Sequence, residues 1–172
     1  DPYTRGHSEG VTRWAVQLAQ YLGWSEADLE AIEFAALLHD VGKIAVPDAI
    51  LRKTAPLIAE NWNIIRRHPY FSARIVEPVG ALQRIVPWIY HHHERWDGNG
   101  YPDELKGEDI PLGARILAIA DAFDAMTTNR PYREALALAD ALAEIEHCSS
   151  TQFDPQLAKT FLELIARKKI EE

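Results

Sequence analysis

The chain has 172 residues, with 26 acidic against 18 basic side chains and a net charge of −8. That length suits one domain that buries its core without staples, and the acidic balance excludes the basic stripe of a general nucleic-acid surface. Cys148 is the only cysteine, which excludes an internal disulfide and points to a reducing compartment, the cytoplasm.

No run of about 18 apolar residues and no charged-then-apolar leader occurs, so neither a membrane span nor a signal peptide is expected. The opening on Asp1 and the single methionine, Met126, lead us to expect a domain, residues 1–172, taken from a longer multidomain protein. No internal repeat or low-complexity block breaks it.

In chain order, Val11, Ala15, Leu18, Ala19 and Leu22 keep helical spacing, with His7 near the start and Gly23 as a stop. Ser25, Glu26 and Asp28 open a second helix through Leu29, Ile32, Ala36 and Leu37, whose final turn is expected to hold His39 and Asp40 before Gly42. Those two residues differ by about 100° around a helix, so they share a site only if it lies over the helix end. Pro47 and Pro56 punctuate a loop. A helix over 59–67 then stops before His68-Pro69, because the residue preceding proline is biased away from the helical region, and a short helix is expected from Phe71 to Val76.

Helix is also predicted from Leu82 to His93, followed by a loop from Asp97 to Leu112 broken by Gly98, Gly100, Pro102, Gly107 and Pro111. A buried helix from Ala114 to Met126 follows. Glu134 to His147 reads as an amphipathic helix, and Pro155 to Lys169 as the last one, with Asp154 as N-cap and Pro155 at the first helical position. No alternating strand pattern competes. The expected fold is all-α, a compact bundle of seven to nine helices with the site in its core.

Donor chemistry recurs along that framework. His91-His92-His93-Glu94 runs into Asp97-Gly98-Asn99-Gly100-Tyr101-Pro102, and three adjacent imidazoles beside an acidic loop point to metal, although such a triplet alone suits a solvated helix end equally well. Asp121 stands inside the apolar run Ile116 to Phe123, where an unpaired carboxylate would cost several kcal/mol. A salt bridge is one answer, but histidines rather than basic residues sit on the apolar faces, so coordination by Asp121 and histidine fits better. Asp124, one turn on, is placed to orient a ligand. Imidazole with carboxylate and no thiolate set favours iron or manganese over calcium or structural zinc. A two-metal site is a standard device for phosphoester hydrolysis, because it lowers the pKa of a bridging water and clamps charge on the phosphate. Lys43, Arg130 and Arg133 supply cations near these ligands.

With these residues assembled, the chain resembles the HD-GYP family of bacterial cyclic di-GMP phosphodiesterases, within the HD-domain metal-dependent phosphohydrolases. The likeness runs through His7-Ser8, His39-Asp40-Val41-Gly42-Lys43, His68-Pro69, His92-His93-Glu94, Gly100-Tyr101-Pro102, Asp121 and Arg130-Pro131-Tyr132-Arg133. It implies an HD-like helical fold with His7, His39, Asp40, His68, His92, His93 and Asp121 as metal ligands, Asp40 bridging two ions. Asp40 and Lys43 would be the catalytic residues, and Lys43, Tyr101, Asp124, Arg130 and Arg133 would serve the substrate. His91 is left as a neighbour of the ligands and His147 as surface.

Some family members carry a glutamate one turn before the first histidine, where it helps to hold a third metal. Here that position is Tyr3, so two ions are expected rather than three. The resemblance implies hydrolysis of cyclic di-GMP to pGpG, and on to GMP, through a metal-bridging hydroxide, with diguanylate cyclase domains as partners at the Tyr101 loop and a homodimer as a further association. The competing readings are a non-catalytic module that senses cyclic di-GMP or docks on diguanylate cyclases, and an HD-type hydrolase of another nucleotide.

Overall fold

A computed structural model describes the backbone of residues 2–51, 53, 56, 58–129 and 134–171, with side chains in that range except at 2–5 and 169–171. Its α-helices are α1 (Pro2–Tyr21), α2 (Glu26–Leu38), α3 (Asp48–Leu51), α4 (Ala59–Ile65), α5 (His68–Val76), α6 (Val86–Tyr90), α7 (Leu112–Thr127), α8 (Leu138–His147) and α9 (Pro155–Glu171). Short 3₁₀ turns lie at Val41–Ala45, Gly80–Ile85 and Gly107–Asp109. Among the described residues there is no strand, only an isolated bridge between Ser149 and Phe153. None of the described helices is long and apolar enough to cross a membrane.

The periodicity of α1 places Val11, Ala15, Leu18 and Ala19 on one face, all fully buried. Gly23 ends that helix at φ +77, a left-handed conformation that a side chain would strain, and Ser25 caps α2 through the Asp28 amide. Helix α7 is the central post, with Ile116, Leu117, Ile119, Ala120 and Phe123 sealed from solvent. Phe123 meets Trp14 of α1 and Phe161 of α9 edge-on, at 5.0 and 4.9 Å between ring centroids. Each such burial contributes about 1.5–3 kcal/mol. Asp154 caps α9 as expected, accepting from the amides of Gln156 and Leu157 at 2.8 and 3.2 Å.

Several boundaries differ from the sequence expectation. Helix α2 stops at Leu38; His39 keeps helical dihedrals as its C-cap, but Asp40 leaves them at φ −102, ψ 2, so the pair sits on the helix end rather than inside its final turn. Helix α5 starts at His68, not Phe71, with Pro69 in its first turn where the missing N–H costs nothing. The expected helix from Leu82 to His93 is two pieces, a 3₁₀ turn and α6, and the three histidines form a turn beyond them. Pro87 sits in the first turn of α6, where a proline starts a helix but cannot continue one. Helix α8 begins at Leu138 rather than Glu134, because the amides of Ala135 and Leu136 are committed to Asn129 and to the Met126 carbonyl, both at 2.8 Å.

Candidate metal centre

Five segments converge on one chamber: the first turns of α1, the α2 end, the α5 start, the turn after α6 and the middle of α7. They bring together His7, His39, Asp40, His68, His92, His93 and Asp121, with His39, His68 and His92 each only 1% exposed. The donor atoms fall into interlocking groups: His7, His39 and Asp121; His39, Asp40 and His92; His68, His92 and His93. Within each group they lie within 4.8 Å of one another.

One local device repeats three times. The Nδ1–H of His39 donates to the Ala36 carbonyl at 2.6 Å, that of His68 to Ile65 at 2.7 Å, and that of His92 to Ile89 at 2.6 Å. Each acceptor lies in the last turn of α2, α4 or α6, where carbonyls lack intrahelical partners. A carbonyl can only accept, so each bond fixes a proton on Nδ1 and turns Nε2 inward, where it offers a lone pair whenever the ring is neutral. His39 Nε2 is buried with no hydrogen-bond partner, and the Nε2 atoms of His68 and His92 approach to 3.4 Å. Lone pairs held that close and that dry fit divalent cations.

Asp40 stands between the groups: Oδ1 lies 3.1 Å from His68 Nε2, and Oδ2 lies 3.5 Å from His39 Nε2 and 2.5 Å from Lys43 Nζ. Burial opposes its ionisation, but the charges of His39 and Lys43 and the His68 hydrogen bond hold it well below the usual carboxylate range. Asp121 is likewise held low against burial, chiefly by His7, whose Nε2 lies 3.0 Å from its Oδ1. His7 Nδ1–H donates to Asp124 at 2.6 Å. Although burial works against it, the bonds to Asp121 and Asp124 push its pKa up to about 9. Burial has the opposite outcome at His92 and His93, both held neutral, His93 down to about 4.

The other candidates take distinct places. Lys43 is 36% exposed beside Asp40. Tyr101 stacks on His93, 4.9 Å between centroids and 28° between planes. Asp124 is 3% exposed and committed to His7, which suits an orienting group and leaves little room for the substrate contact also expected of it. His91 turns away to Asp103 at 3.1 Å, and His147 is exposed. Arg130 and Arg133 lie outside the described residues, as does the side chain of Tyr3.

Sequence reasoning missed the close approaches that assemble the chamber. A Cβ on Gly10 would collide with the Asp124 carboxylate, and one on Gly42 with the His68 carbonyl and the Ser72 amide. Gly42 N–H instead donates to Ser72 Oγ at 2.8 Å. Buried Glu94 holds the Tyr101 loop by accepting from the Asp103 amide at 2.7 Å, and a Cβ on Gly100 would meet the backbone of Glu94 and Arg95. Glu94 was visible only as the end of a motif. Gly10 gave no signal, and Gly42 and Gly100 were read only as chain breakers and motif members, since the close approaches that they allow are set by the folded chain, for Gly10 and Gly42 by segments far away in sequence.

Residues 1–157 match the HD domain family. A cyclic di-GMP phosphodiesterase of Thermotoga maritima is 40% identical over 166 residues, covering 95% of this chain and 45% of that protein. A 3'3'-cGAMP-specific phosphodiesterase 3 of Vibrio cholerae is 39% identical over 155 residues, covering 90% and 34%. Among solved structures, an HDG"Y"P protein from Bdellovibrio bacteriovorus superposes with a TM-score of 0.75 at 23% identity, over 93% of this chain and 51% of that one, a likeness of fold alone. The chain thus spans less than half the length of the curated relatives it matches.

Proposed function

The chain belongs to the HD-domain family and carries the HD-GYP motif set, and from that premise we propose that it hydrolyses cyclic di-GMP to pGpG, and further to GMP, with two divalent ions, iron or manganese. The observation that supports this most is the set of inward-facing donors: three imidazoles locked in one tautomer, with His39 Nε2 buried and unpartnered. Bound ions supply Lewis acidity and water activation at neutral pH.

The chain's own residues do the rest. His7, His39 and Asp121 are assigned to one ion and His68, His92 and His93 to the other, with an ionised Asp40 presenting one oxygen to each group. Lys43, within reach of Asp40 and partly open to solvent, is assigned to the phosphate being cut, with Arg130 and Arg133 as further phosphate contacts. Tyr101 forms a wall of the cleft. Residues 1–172 act as one phosphohydrolase domain in a cytoplasmic setting, and the Tyr101 loop is assigned as the surface for diguanylate cyclase domains.

The two-ion count rests on Tyr3, since a phenol of ordinary pKa near 10 is a poor ligand at neutral pH. The test is turnover by protein purified without oxygen and loaded with iron or manganese, with metal analysis and product chromatography. About two metals per chain and accumulation of pGpG are expected, with a third metal gained in Tyr3→Glu. The same assay addresses a second reading favoured by the Vibrio cholerae relative, that 3'3'-cGAMP is the preferred cyclic dinucleotide.

A further inference from the structure

A cyclic dinucleotide carries two phosphates, and the metal centre takes only one of them. In a protein of charge −8 the other needs a cation of its own, since Lys43, 2.5 Å from Asp40, is assigned to the phosphate being cut. Arg66 closes α4 two residues before His68, and its guanidinium lies over the Tyr101 ring, 5.3 Å from the centroid. Tyr101 in turn stacks on His93, so guanidinium, phenol and imidazole form a layered column from solvent to the donor cluster. Arg66 is exposed and makes no ion pair with a carboxylate among the described residues. The other cation–aromatic pairs described use rings other than Tyr101 and His93.

We propose that Arg66 is a substrate-binding residue that holds the phosphate not being cut, with Tyr101 as the platform that aims it. The inference rests on the cyclic-dinucleotide reading of this site. Stacking on Tyr101 restricts the guanidinium before substrate arrives, so less side-chain entropy is lost on binding. A planar fork with five donors matches phosphate oxygens. The function is one of affinity, because Arg66 sits one ring beyond the imidazole that faces the metals.

The test is steady-state kinetics on metal-loaded protein with cyclic di-GMP, 3'3'-cGAMP and bis(4-nitrophenyl) phosphate, the last carrying a single phosphodiester. Arg66→Ala should raise KM for the cyclic dinucleotides about ten- to a hundredfold, the scale of a lost charge-assisted hydrogen bond, with kcat changed far less. Its effect on KM for the single diester should be much smaller, and Arg66→Lys should recover part of the loss by keeping charge without the fork. Metal content in each variant reports on the column beneath. An unchanged KM for cyclic dinucleotides, or an equal penalty on bis(4-nitrophenyl) phosphate, would overturn the assignment. If the unaltered protein cleaves the single diester but none of the cyclic dinucleotides, the substrate reading fails, and this inference falls with it.

Discussion

The two halves of the metal centre are built on different electrostatics. Around His7 the ligand is braced by a carboxylate, Asp124, and faces another, Asp121, so the ring is drawn toward its protonated form. Around His68, His92 and His93 the braces are neutral backbone carbonyls and neighbouring imidazoles, and burial keeps His92 and His93 unprotonated. One half must release a proton to accept an ion; the other is ready at neutral pH. Asp40, with an oxygen toward each, is where the two behaviours meet.

The strongest way to break the comparison is to remove what the halves share. Asp40→Ala should abolish both ions and reduce cyclic di-GMP turnover to background, read by elemental analysis and product chromatography. Retention of one full equivalent would show that the halves fill independently of Asp40.

The glycines guard one half each and should fail unequally. Gly42→Ala presses on the His68 carbonyl and the Ser72 amide, backbone that cannot rotate aside, and should destabilise by about 1–3 kcal/mol. Gly10→Ala presses first on the side chain of Asp124, and it gains up to about 1 kcal/mol of helix propensity inside α1. Thermal melts should therefore fall clearly further for Gly42→Ala. The Gly10 variant should instead lose metal from the His7 half. Equal melting temperatures would contradict the packing argument.

A finer probe is Asp124→Asn, which keeps the shape and removes the charge behind His7. Ion affinity at the His7 half should drop about 10–100-fold, while the imidazole-rich half is spared. Chelator titration should then show one equivalent leaving well before the other; simultaneous release would mean that the brace acts on the whole centre.

The smallest effect is on the pH dependence of the metal-free protein. His7, with a folded pKa of about 9 against 6.5, stabilises the fold fully below pH about 6.5 and loses that contribution as pH rises through about 9. His93, at about 4, acts in the opposite sense: stability is present above about 6.5 and is lost as pH falls toward 4. Melting temperature should peak between these slopes, and His7→Gln should flatten the alkaline side alone. An unchanged alkaline slope in that variant would remove His7 as its cause.

Part of the donor set was legible in the sequence because its members interrupt or end an apolar run, and a fold that buries the run has to bury the donor; His7 and His68 stand in polar stretches and joined the set through the family resemblance. His39, Asp121 and the histidine triplet all obey that rule, and the seven do converge. The helices of α1, α2, α7 and α9 were legible for the same reason, their apolar spacing being unbroken. The division of 82–93 was less so, since Pro87 suits a helix start as well as an interruption. The late start of α8 escaped because the amides of Ala135 and Leu136 are taken by groups that only the folded chain brings near. Gly10, Gly42 and Arg66 escaped likewise: what each touches lies on a segment that no local pattern joins to it.

The repeated bond from Nδ1 to a last-turn carbonyl has a consequence for where the ion comes from. In small zinc domains the metal organises the chain, so the identity of the metal is bound up with folding itself. Here the rings are tethered by hydrogen bonds that any helix end offers, and a large apolar core holds those ends in place. The fold builds the chamber, whose walls select coarsely, by donor type, and among the divalent ions that such donors accept, availability weighs more than raw affinity. A change in the supply of divalent ions would then change the occupant without a new fold having to form around it.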